Sequence, residues 1–168
     1  MFTGIAPLAI PAPLIGIGLI LIWNNPSTNA IYSSIWMPVM ASLARFAPIA
    51  AIVMLSQLKR TDPQLIEAAK VVQTSNWKAW LGIQLPMALP GVVASMAIIF
   101  ALTVGELGAT LLVTPPGHST LTIRIYNYLH YGSTENVVAL AIVIIGMTVL
   151  GAIIAVVGYG LMSKRMLK

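Results

Sequence analysis

The sequence predicts an all-α integral membrane protein with about four transmembrane helices and a two-helix loop on the cytoplasmic side. Three observations carry that prediction. Hydrophobic residues make up 58% and charged residues 8% of the 168 positions, against roughly 25% charged in soluble domains. The apolar residues gather in stretches close to the roughly 20 residues that a bilayer demands. Lysine and arginine collect on one side of those stretches. Mean hydropathy is +0.92, and a single membrane domain over 1–168 accounts for the length. The formal charge of +5 follows the same sidedness, so it marks orientation and not nucleic-acid binding. With no cysteine in the chain, disulfides, thiolate metal sites and cysteine nucleophiles are excluded.

The first predicted span is 5–23. Pro7, Pro11 and Pro13 interrupt it, and membrane helices tolerate proline where neighbours satisfy the freed carbonyls, so a kinked or irregular start is expected. Residues 24–34 are polar and hold no Lys or Arg. The second span is 35–57, with Trp36 as an interfacial anchor at its mouth and with Arg45 and Pro48 inside it. A loop, 58–88, follows. Asp62 then Pro63 marks a helix start, a carboxylate cap before a proline whose missing N–H is not needed there. Leu65, Ile66, Ala69 and Val72 share a face at helical spacing, ringed by Lys59, Arg60, Lys70 and Lys78. Trp77, Trp80, Leu81, Gln84 and Leu85 predict a second short amphipathic helix, with Pro86 and Pro90 closing it. The third span is 89–113 and contains Glu106. Between 114 and 136 the apolar core is too short to cross, so an interfacial helix is expected there, with Tyr126, Tyr128 and Tyr131 at headgroup level. The fourth span is 137–162.

Orientation follows from the cations. The 58–88 loop and the C-terminal tail hold Lys59, Arg60, Lys70, Lys78, Lys164, Arg165 and Lys168, whereas the opposite connections hold Arg124 alone. The positive-inside rule places the loop and both termini in the cytoplasm.

No nucleophile–base constellation, phosphate-cradling glycine loop or shared-site carboxylate pair is present, so the chain is not expected to be an enzyme. Arg45 and Glu106 are the sharpest polar residues. A charge inside a span costs about 2.5–3.5 kcal/mol on insertion scales and is usually paired or faces a water-filled path. At about 1.5 Å per residue, both fall in the outer half to the middle of the bilayer, within side-chain reach. They are translocation-path candidates as a gate or solute contact, or equally a helix–helix tie. His118 and His130 sit in the outer connection without an acidic cluster, so no metal site is expected. Gly91, Gly105 and Gly108 are expected to be helix-packing positions.

Glu67-Ala68-Ala69, position 73, Ile83 and Leu85-Pro86 resemble the EAA loop of permease subunits of binding-protein-dependent ABC importers. The spacing agrees throughout, with Gln73 where the family pattern has glycine. Gly105-Glu106-Leu107-Gly108-Ala109-Thr110-Leu111-Leu112, Pro115-Pro116-Gly117, Leu121 to Asn127 and His130-Tyr131-Gly132 are similar to the iron(III)-type branch. The resemblance implies a type I importer permease with a MetI-like fold in the cell inner membrane. It implies that Glu67, Ala68, Ala69, Gln73, Ile83, Leu85 and Pro86 couple the loop to a cytoplasmic ATP-binding subunit. On spacing alone Glu67 is also a solvated acid suited to the start of a helix. Further implied partners are a second permease half and an external substrate-binding protein, with no cofactor. The implied solute is small, iron(III) first, with thiamine or an oxyanion as alternatives. Because the family core carries at least one earlier span, the chain is expected to correspond to the C-terminal part of a permease domain. Two rival readings stand beside this one: a non-transporting membrane fragment or assembly protein, and a secondary transporter. The latter should show mid-membrane acids in repeated halves, and only Glu106 and no repeat is found.

Overall fold

The computed structural model describes residues 6–59, 77, 81–82, 85–132 and 134–166, and every regular element among them is helical. A 3-10 turn, Ala6–Ala9, leads into α1 (Ala12–Trp23). Next come the single turn α2 (Asn29–Tyr32), α3 (Trp36–Lys59) and α4 (Leu85–Val104). The short α5 (Thr110–Val113), then α6 (Leu121–Tyr131) and α7 (Thr134–Met166) complete the chain. Helices α3, α4 and the Thr134–Gly160 part of α7 are long and apolar enough to cross a membrane.

Two of these agree closely with the predicted spans 35–57 and 137–162. The other two depart for local reasons. The helix in 5–23 begins only at Ala12, because Pro11 caps it and Pro13 occupies its first turn. Its 12 residues cover about 18 Å, less than the roughly 30 Å hydrocarbon core. The predicted span 89–113 is shifted and cut. Its helix is described from Leu85, so Pro86 and Pro90 lie within it, while most of the short helix they are expected to close lies outside the described residues. Pro86 lies in the first turn, where an N–H has no intrahelical partner to lose, and Pro90 is buried inside the helix. At the other end α4 stops at Val104, and Glu106 lies in a non-helical stretch before α5. The expected short helix in 114–136 is α6. The Thr120 hydroxyl accepts from the Ile123 N–H at 3.2 Å at its start, and Gly132 ends it with φ +79°, a left-handed position that glycine adopts at little cost.

The most extensive packing is α3 on α4, followed by α4 on α7. Small residues set the closeness of both contacts. A Cβ on Gly91 would lie 2.8 Å from Gln57 Cβ, and one on Gly151 would lie 2.9 Å from the Phe100 ring. The Gln57 amide also donates to the Met87 carbonyl at 3.4 Å. A small core of Met37, Ala41, Ala109 and Val113 forms where α1, α3 and α5 meet, with Leu19, Ile20 and Trp23 against it. Elsewhere large apolar side chains face outward along the spans, including Ile142, Ile145, Ile153 and Val156 of α7.

Candidate functional site

The site is built where α4 stops. The Glu106 N–H donates to the Thr103 carbonyl at 3.1 Å, a tightened last turn after which the chain leaves the helix. Gly108 lets the turn lie close against α1. A Cβ on Gly108 would meet Ala12 Cβ at 2.8 Å, so α1 leans directly on the turn. Gly105 has nothing nearer than 3.8 Å to an added Cβ and is not the packing position expected of it.

Glu106 is 3% exposed and holds several elements at once. Its Oε1 accepts from the Ala109 N–H at 3.0 Å and from Arg45 Nη1 of α3. Its carbonyl accepts the Thr110 hydroxyl at 3.0 Å and the Thr122 hydroxyl of α6 at 2.8 Å. Arg45 and Glu106, which the sequence places only within side-chain reach, form an ion pair across 61 positions of sequence. The pair is unequal: the Glu106 side chain is 0% exposed and that of Arg45 35%. Arg45 lies beside the Phe46 ring, 5.4 Å from its centroid, and both line a cavity of about 490 Å³ with the Gly105–Gly108 turn. Among the described residues Glu106 Oε2 is buried with no hydrogen-bond partner.

The Thr110 and Thr122 contacts were not foreseen. Thr110 follows Glu106 by four positions, a spacing that hints at a hydroxyl-to-carbonyl bond. Nothing local marks Thr122, which α6 brings in from 16 positions away.

A second hollow, about 410 Å³, lies beside α3 and is lined by Ser42, Thr103, Thr110, Thr114 and His118 among others. Three of its hydroxyls donate to backbone carbonyls: Ser42 to Pro38 at 3.1 Å, Thr110 to Glu106 at 3.0 Å and Thr114 to Thr110 at 2.6 Å. His130 is elsewhere, its Nδ1 2.9 Å from the Tyr126 carbonyl. The structure does not bring the two histidines to one site. Of the coupling residues, Glu67, Ala68, Ala69, Gln73 and Ile83 lie outside the described residues, while Leu85 and Pro86 form the first turn of α4.

Comparison with known proteins places these features in a family. The putative 2-aminoethylphosphonate transport system permease protein PhnV of Salmonella paratyphi A is 26% identical over 144 residues, covering 86% of this chain and 54% of that protein. The putrescine transport system permease protein PotI of Escherichia coli K12 is 25% identical over 166 residues, covering 95% of this chain and 57% of that protein. The spermidine/putrescine transport system permease protein PotC of the same organism is 28% identical over 110 residues, 66% of this chain and 42% of that protein. The chain spans about half the length of the curated relatives it matches. The family model described as the binding-protein-dependent transport system inner membrane component matches residues 1–168, and the chain belongs to that family.

Proposed function

We propose that the chain forms membrane-permease machinery of a binding-protein-dependent ABC importer, with ATP hydrolysed by a separate cytoplasmic subunit. The observation that supports this reading best is the break after α4. In a family of inner membrane transport components, it places a buried carboxylate, paired to a part-exposed arginine, beside a cavity. Irregular backbone at membrane depth persists where it is buried in protein or lines a cavity, and an intramembrane ion pair marks a path by default.

In the proposed mechanism the 58–88 loop docks on the ATPase through Glu67, Ala68, Ala69, Gln73 and Ile83. Leu85 and Pro86 are the loop's exit and also the first turn of α4. Displacement of the loop is thus passed straight to a rod of 20 residues, about 30 Å long, whose far end carries Glu106. A second permease half completes the path, and a substrate-binding protein delivers solute at the 114–136 face. The loop and both termini are cytoplasmic. The residue resemblance points to iron(III) as solute, whereas relatives are named for 2-aminoethylphosphonate and for putrescine.

The test is uptake and ATPase recovery together. Ala69→Trp blocks close approach, and Glu67→Lys adds a cation beside Lys70. Both variants are expected to insert normally, lose co-purification with the cognate ATPase and abolish ATP-dependent uptake of radiolabelled iron(III), 2-aminoethylphosphonate or putrescine, whichever the wild type carries. Undiminished ATPase recovery with both variants refutes the docking role. Uptake driven by an ion gradient without the ATPase would establish the secondary-transporter reading instead.

A further inference from the structure

We infer that the cavity beside the helix break binds an oxyanion group, held by Arg45, so that the solute admitted there carries a phosphonate, carboxylate or similar anion and is not a bare cation. The inference rests on the permease reading for what enters the cavity. Its chemistry comes from the unequal burial of the pair.

Both partners line the cavity of about 490 Å³, but they do not present themselves equally. The Glu106 side chain is 0% exposed, and its Oε2 is shut away as well. A cationic solute would need that carboxylate, and none of the Glu106 side-chain surface is exposed to receive it. The Arg45 side chain is 35% exposed. Among the described residues its guanidinium donates to Glu106 alone, through Nη1. A guanidinium carries five N–H donors in a planar fork suited to carboxylate and phosphate geometry. The remaining donors are the charged groups the cavity offers. Glu106 acts from behind as a positioning residue: it fixes one edge of the fork, itself braced by the Ala109 N–H at 3.0 Å, and leaves the other edge for a ligand. Gly105 and Gly108 of the turn, with Ala12 and Ala101, are the small residues of the wall and leave room for a compact solute.

The experiment uses the assembled permease purified with its partners and titrated with methylphosphonate, acetate and putrescine, with binding followed by calorimetry. Wild type is expected to bind methylphosphonate or acetate and to show no saturable binding of putrescine. Arg45→Lys keeps the charge but not the fork, and should weaken anion binding about tenfold. Arg45→Gln alone strands the buried carboxylate, so the paired variant Arg45→Gln with Glu106→Gln is used as well. It keeps the cross-helix hydrogen bond without a buried net charge and should lose anion binding while still assembling. Saturable putrescine binding without anion binding overturns the inference, as does unchanged anion affinity in the paired variant. ATPase co-purification in the same samples reports on the permease reading separately, so either can fail while the other stands.

Discussion

Removing one member of the Arg45–Glu106 pair should cost more than removing the other, and the order follows from burial. Arg45→Ala leaves the Glu106 carboxylate in a pocket where its side chain is 0% exposed, with only the Ala109 N–H for company. An uncompensated buried charge of this kind costs about 3–5 kcal/mol. Glu106→Ala leaves a guanidinium that is already 35% exposed and can turn to the cavity. Its cost lies mainly in the Ala109 N–H, at a residue that is 0% exposed, a loss of about 1–3 kcal/mol. Glu106→Gln keeps an acceptor for both donors and gives up charge assistance only, about 1 kcal/mol. The charge swap Arg45→Glu with Glu106→Arg should recover little, since a guanidinium at 106 offers no acceptor to the Ala109 N–H. The measurement is equilibrium unfolding of the purified permease in mixed micelles titrated with SDS. Arg45→Ala should fall below Glu106→Ala, with Glu106→Gln closest to wild type. A reversed order refutes the burial argument. A double-mutant cycle additive within about 0.5 kcal/mol would show that the two residues do not interact.

Gly91→Ala forces a Cβ to 2.8 Å from Gln57 Cβ, which cannot swing away, whereas Gly151→Ala meets the Phe100 ring at 2.9 Å, and a ring can turn. The same SDS titration should therefore find Gly91→Ala the more damaging, by about 1–3 kcal/mol of overpacking. Thr120→Ala removes the oxygen that receives the Ile123 N–H and its contact with the Thr122 hydroxyl at 2.9 Å. A lost cap of this kind costs about 1 kcal/mol, seen as faster amide exchange at Ile123 while the core of α4 is unchanged. Reporter fusions at Ser75 and Lys168 should register as cytoplasmic and fusions at Asn29 and His118 as external. An external signal at Ser75 would reverse the proposed orientation.

Much of the helical plan was legible because apolar length and flanking polarity are summed properties. The second stretch has a polar flank at Ser33-Ser34 and a cationic end at Lys59, and its predicted limits lie within two residues of α3, Trp36–Lys59. Proline was harder to weigh. At Pro11 and Pro13 it does set the start of α1, yet Pro86 and Pro90, read as stops, lie inside α4. Pro90 is buried in the α3–α4 contact, beside Gly91, where Gln57 comes close. That contact joins residues more than 30 positions apart, and no local pattern carries it.

The break at Glu106 was hidden for the opposite reason. Leu107, Ala109, Leu111, Leu112 and Val113 continue the apolar run past Val104, so hydropathy counts them with the helix although the backbone leaves it at Gly105. What ends the helix is polar. Glu106 bends its carboxylate forward to the Ala109 N–H and turns its carbonyl to two threonine hydroxyls. Those bonds replace the helical ones and make the stretch affordable in an apolar setting. A lone carboxylate in an apolar run was therefore the one local sign of the break. Read as a charge needing a partner, it has Arg45 within side-chain reach, and whether the two pair is set by the fold and not by the sequence. Read also as an acceptor for its own backbone, the same residue marks where the helix stops.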